Sequence, residues 1–450
     1  METQDPTDKR IKQLVWLYFW LLIIEGALRK WIVPSLSTPL LIVRDPVVIL
    51  IYLVALSGNK FPRSAFIPWI LGLGFVSVLA SFSGDGNFKV TLYGLRTNFL
   101  QLPLIFLMGQ VLTPDDVKKI GKWVLISSVP MALLAFQQFR SSPDARINAG
   151  VGGELGAQLF AASGKIRPAG TFSFVTGMVC YLSLVASFVL FDFLQKKQYH
   201  RLLGISAMIA LGLSLGVSGS RSAVLTVSLV LAAAVLACLI KGKFFSSAVK
   251  PLLTIYLVFL CLSLLPVFRE GIAVQHDRFE NNGGLREGIF DRFFEDFTTS
   301  FSVAGTVPIL GYGLGMGTNA GAGIMVGSRG FLLAEGEWAR IVMESGPILG
   351  YAFIALRAAI LIYLIRRVMN ALNRGAVLPT LLFGAIGLDL VTGQFSQPTA
   401  MGFVILGSGL CLAAAREVEP TGEPVPDAPA PATPRIPGRS RYAEALHGKS

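Results

Sequence analysis

The stretch Ser218–Ile240 reads SGSRSAVLTVSLVLAAAVLACLI, and it decides the class of fold. No charged residue follows Arg221 before Ile240, and at about 1.5 Å per helical residue that run is long enough to cross a hydrocarbon core of roughly 30 Å. Working outward, apolar runs of about 17–22 residues recur along the whole chain. The 450 residues are 53% hydrophobic and only 15% charged, a composition foreign to ordinary soluble domains. Sustained polar/apolar alternation, the mark of an outer-membrane barrel, is missing. The expected fold is all-α, a polytopic integral membrane protein.

Twelve spans are predicted: Leu14–Val33, Leu40–Leu56, Ser64–Ser81, Leu92–Val111, Trp123–Phe139 and Thr171–Phe191, then Leu202–Val217, Ala223–Ile240, Leu252–Phe268, Gly346–Ile365, Ala376–Thr392 and Thr399–Ala415. The first apolar run could pass for a secretion signal. EGALRKW after it offers no small-x-small cleavage site, so it is kept as a span. Basic residues in short loops set the orientation. With a cytoplasmic N-terminus, every inner loop is basic: Lys9, Arg10 and Lys12; Lys60 and Arg63; Lys118, Lys119 and Lys122; Lys196, Lys197 and Arg201; Lys241, Lys243 and Lys250; Arg366, Arg367 and Arg374.

This layout puts residues 1–13 and both termini in the cytoplasm and makes residues 14–416 the membrane domain. A long loop, about residues 269–345, then lies outside between spans nine and ten. Residues 417–450, rich in Pro and Ala, are expected to be a disordered tail. The net charge of +12 is spread over short clusters between apolar runs, which argues against nucleic acid as a partner. Cys180, Cys238, Cys261 and Cys411 all fall in apolar runs, so neither a disulfide framework nor a metal site is indicated.

Charged residues inside spans need a reason, since each costs about 2.5–3.5 kcal/mol at mid-helix on insertion scales. Glu25 and Arg29 share a helix face, and Arg44 adjoins Asp45. They lock two helices together or line an external cavity. Arg357 is a deeper charge in span ten with no evident partner.

On the outer face, Arg221 stands among Ser218, Gly219, Ser220 and Ser222 at a helix start. That arrangement suits an anion or, equally, an arginine reaching for headgroups. KIRPAGTF adds Lys165 and Arg167. In the long loop, Leu285, Ile289, Phe290, Phe293, Phe294, Phe297 and Phe301 recur at helical spacing between charges, predicting an amphipathic helix. It lies on the membrane surface or packs the loop. PILGYGLGMGTN does not match a dinucleotide fingerprint. Its glycines are expected to allow a tight turn near the bundle, with a phosphate-holding nest of amides as the lesser reading.

RPAGTF, SGSRSAVL, and PILGYGLG followed by an acidic segment ending ESGPILG together resemble the O-antigen ligase and O-antigen polymerase superfamily, over roughly Arg167–Gly350. EGALRKW and IVRDP resemble a polymerase-like branch of it. The resemblance implies an inverting, metal-independent glycosyltransferase of the bacterial inner membrane, with no cofactor. Its donor would be an oligosaccharide on undecaprenyl diphosphate, its acceptor a glycan or lipid hydroxyl. Membrane lipids and envelope polysaccharide assembly proteins would be its surroundings.

By that resemblance Arg221 holds the diphosphate, with Arg286 or Arg292 beside it; Arg340 and Arg167 complete the expected set. The family's ligases carry a histidine eleven residues before the first glycine of the re-entry motif; here that position is Glu335, with Glu337 nearby. A carboxylate can serve as the general base, so Glu335 or Glu337 is expected to be catalytic, unless both merely form an acidic helix start. Glu344 and Asp389 are secondary candidates. Polymerase is favoured over ligase. A lipid-linked sugar flippase or other transporter, or a non-catalytic scaffold, are the competing classes.

Overall fold

A computed structural model of the chain describes residues 5–84, 87–195, 198–240, 257–280, 292–327, 333–334 and 336–416; the side chains of residues 278, 279, 292 and 293 are also left aside. The expected tail and the start of the amphipathic helix lie outside these residues, as do Arg286 and Glu335. Regular secondary structure among the described residues is entirely helical, apart from one isolated bridge between Phe160 and Ile166.

The helices are α1 Pro6–Ala27, α2 Arg44–Ser57, α3 Phe66–Ser81, α4 Phe88–Leu95, α5 Leu102–Val111, α6 Pro114–Arg140 and α7 Val175–Leu194. There follow α8 Arg201–Val217, α9 Arg221–Ile240, α10 Pro266–Glu280, α11 Arg292–Ala304, α12 Asn319–Val326, α13 Glu337–Asn373, α14 Leu378–Thr392 and α15 Pro398–Ala414. Six helical stretches are long and apolar enough to cross a membrane, seven if one bent pair counts as a single span. The protein is therefore a helical membrane protein.

Among the described residues every predicted span overlaps a helix, yet several are not simple rods. The fourth is broken into α4, a π-helical stretch Arg96–Leu100, and α5, which begins at Pro103's turn. The ninth bends by 101° between Leu257–Ser263 and the following helix, so it does not run straight through. The described residues of the long polar loop include α11, α12 and most of α10.

Helices α7 and α15 are apolar all round and sit at the centre, as such helices must. Small residues let neighbours approach them: Gly407 faces Ile386 of α14, and Gly409 faces Met108 of α5. Leu71, Phe75 and Leu79 repeat every fourth residue along the outside of α3 and are exposed, a stripe suited to lipid.

The bundle has two chemically distinct ends. At one end Lys60 pairs with Asp5 at 3.1 Å, Lys12 with Asp116 at 2.7 Å, and Arg416 donates to Gln110 O and Leu112 O. Thr113 and Asp116 cap α6 there reciprocally. The first three of the segments read from sequence as inner loops thus meet here. The motifs carrying the family resemblance gather at the other end.

Candidate functional site

The two glycine-bearing motifs form one backbone joint. Helix α13 breaks at Gly346, whose φ of 75° and ψ of 167° are non-helical, and Pro347 has no amide to give. The carbonyls of Met343 and Glu344 lose their helical partners at this break. Tyr312 N and Gly313 N donate to them instead, at 2.9 and 3.0 Å. The close approach needs glycine, since a Cβ on Gly346 would overlap the Ile309 carbonyl. Leu314 N donates to Ser81 Oγ and Gly317 N to Glu344 Oε1, both at 2.9 Å. The loop's amides serve the protein itself, which supports the tight-turn reading over a phosphate nest.

Above the break, α13 carries a buried ionic network. Arg340 bridges Glu337 at 3.0 Å and Glu344 at 2.8 Å, while Arg357 reaches Glu337 at 2.7 Å. Asn98, on the π-helical stretch, donates to Glu344 and accepts from Arg340. Arg357 also donates to Leu390 O and Gly393 O at 2.8 Å each, closing the carbonyl end of α14 as a cation should. That accounts for the deep charge left without a partner by the sequence. Glu337 Oε1 further accepts from Phe395 N at 3.1 Å. With 2% exposure and its two oxygens engaged by two guanidinium groups and an amide, Glu337 is poorly placed to take a proton from a sugar hydroxyl. Arg340 is equally committed, to two carboxylates rather than to an open site.

Helix α13 starts at Gly336, which has no side chain to cap it. Asp296 of α11 fills the role, accepting from Trp338 N at 3.3 Å and Ala339 N at 3.5 Å. Phe297 against Trp338 and Phe301 stacked on Tyr351 fix α11 in this place, while Phe294 and Phe301 remain more than half exposed. Burial raises the Asp296 pKa above the usual carboxylate value, with the two backbone amides opposing. Sequence reasoning saw this residue only as one charge of an amphipathic helix; the acidic cap of a glycine-started helix was the available signal.

The SGSR and RPAGTF motifs come together. Gly219 sits at φ 53°, and a Cβ on it would meet Ala161, with Arg167 Cγ at 3.8 Å. Gln275 of α10 donates to Ser220 O at 3.2 Å, and Lys165 pairs with Glu270 of α10 at 2.9 Å. Arg167 Nε donates to Phe160 O, and Arg221 is buried at the first residue of α9. Of the other expected residues, Arg292 opens α11 but its side chain lies outside the described set. Asp389 accepts from the Cys180 thiol at 3.8 Å inside the bundle.

The RPAGTF segment continues into a second charged group. Gly170 O accepts from Lys30 Nζ at 2.6 Å, and Ser173 Oγ contacts Arg29 Nη1 at 3.1 Å. Glu25 pairs with Arg29 at 3.3 Å and with Arg44 at 3.1 Å; Asp45 pairs with Arg96. These residues do lock α1, α2 and the Arg96–Leu100 stretch together. Comparison with known proteins returns no matching family model and no similar curated protein.

Proposed function

We propose that the protein is a membrane glycosyltransferase that polymerises, or alternatively ligates, glycan carried on undecaprenyl diphosphate at the outer face of a bacterial inner membrane, within a twelve-span layout. The observation that carries this reading is the meeting of Arg167, Lys165 and the Ser218–Arg221 turn at the end of the bundle opposite the lysine-rich loops. Cations so grouped would stabilise charge developing on a departing diphosphate. Arg221 and Arg167 are assigned to the diphosphate, with Arg286 and Arg292 as further ligands.

The base is assigned to Glu335 or to Asp296, which burial inclines towards holding a proton. Glu337 and Arg340 are assigned to scaffolding instead. A transporter would draw on deep, unpartnered charge; Arg357 is held by Glu337 and the α14 carbonyls, so it lends that class no support.

The test replaces Arg221→Gln, Glu335→Gln and Asp296→Asn singly in the native host. Surface polymer should fall sharply with Arg221→Gln and with one of the two acid variants, while lipid-linked units build up outside. Intermediates held on the cytoplasmic side would indicate a flippase. Normal surface glycan in all three variants would defeat the assignment.

A further inference from the structure

The charged group around Glu25 carries more positive than negative charge. Arg29, Lys30, Arg44 and Arg96 are all buried, and among the described residues the carboxylates that pair with the three arginines are Glu25 and Asp45. What completes their coordination is neutral: backbone carbonyls together with the hydroxyls of Ser173 and Tyr18. Arg29 donates to Ser37 O at 2.8 Å, Arg96 to Leu41 O at 2.9 Å, Arg44 to Pro398 O at 2.6 Å and Lys30 to Gly170 O at 2.6 Å. Carbonyl dipoles solvate a cation but do not cancel its charge. Arg96 Nη1 is buried with no aligned hydrogen-bond acceptor among the described residues, its guanidinium 4.9 Å from the Tyr93 ring, on a residue only 8% exposed.

An unfilled donor beside an excess of buried cations calls for an anion. Guanidinium forks and an ammonium together match the oxygens of a phosphate group. The cover over these cations is thin. Pro34–Leu36 and Ser37–Leu40 are single turns, and their neighbours Ile32, Leu36 and Ile42 are exposed apolar side chains. Trp31 lies under Lys30, with the ammonium 4.2 Å from its ring. Apolar collar, tryptophan and cations in this order resemble the chemistry of a lipid headgroup boundary.

We propose that Arg29, Arg44 and Arg96, with Lys30 adjoining them on the same turn, form a second phosphate-binding site, reached beneath the Pro34–Val43 connector and separate from the Arg221 turn. It does not rest on the glycosyltransferase reading. Its ligand is a phosphate oxyanion, carried by a lipid headgroup or free in water.

The full chain, purified in uncharged detergent, is unfolded by heat with and without inorganic pyrophosphate, against sodium chloride of equal ionic strength. In parallel it is placed in bilayer discs of phosphatidylcholine with and without phosphatidylglycerol. At least one anion should raise the midpoint by about 2–4 °C or more. A response to phosphatidylglycerol alone identifies a lipid ligand; a response to pyrophosphate alone identifies a diphosphate or soluble one. Lys30→Met and Arg96→Gln should each reduce the response at least by half, and exchange of an exposed cation at the opposite end, Lys119→Gln, should leave it whole. Should either variant fail to fold, Arg29→Gln takes its place. No response to any anion, or a response lost only in Arg221→Gln, overturns the proposal, and the second result would leave the diphosphate assignment at Arg221 intact.

Discussion

Two buried ionic groups stand at the same end of this bundle and are built from the same residue types, yet they balance differently. On α13, two arginines meet two glutamates, Arg340 and Arg357 against Glu337 and Glu344, and the carbonyl end of α14 takes further donors of Arg357. Around Glu25, four cations meet two carboxylates and lean on carbonyls for the remainder. A neutral network can serve as scaffold with nothing bound. A network with surplus charge carries a standing electrostatic cost that a ligand would relieve. Counting charge within contact distance therefore separates the two roles where residue type does not.

The largest effect should come from the joint beneath the balanced network. Gly346→Ala forces a Cβ into the Ile309 carbonyl at a backbone angle that side chains rarely adopt, and the variant should yield no cooperatively folding protein in detergent. Next, Glu337→Gln leaves Arg340 and Arg357 short of a negative partner and should cost about 3–5 kcal/mol, read from thermal or denaturant unfolding. Lys30→Met, an equally buried loss of charge, should cost far less when no anion is present; equal losses at the two positions would erase the contrast drawn above.

The smallest effect belongs to Asp296. Asp296→Ala removes the cap of α13 and should cost about 1 kcal/mol, whereas Asp296→Asn keeps an accepting oxygen and should cost little. Burial raises this carboxyl in the folded state, so the folded protein holds the proton more tightly than the unfolded chain does. Its contribution to stability accordingly falls as pH rises from the ordinary value of 3.8 through the raised one. Asp296→Asn should flatten that part of the stability curve, and an unchanged curve would count against the burial argument.

Much of the bundle was legible from the sequence because length and apolarity alone mark a membrane helix. The interruptions were less so: nothing in LRTNFLQLP announces a π-helical turn, and the 101° bend in the ninth span depends on what α10 packs against. Within the site, the Glu337–Arg340–Glu344 spacing in EWARIVME was a readable signal for ion pairing along one helix face. It was outweighed by the expectation of a base near Glu335. The partner of Arg357 and the capping role of Asp296 are contacts between distant segments, which periodicity cannot reveal. The same holds for the pairing of PILGYGLG with ESGPILG, which runs through backbone groups and leaves no trace in side-chain pattern beyond the glycines.

The widened turns at Leu28–Ile32 and Arg96–Leu100 hold Arg29, Lys30, Arg96 and Asn98, all buried. Such a turn contains one residue more than an α-helix would need for the same rise. Removing a single residue from either would restore ordinary helical winding, leaving the flanking helices near their present register while re-aiming the residues of the turn itself. The cations would then swing off the face they now share. Chain length at these two places is thus as much a part of the charge arrangement as the choice of side chain.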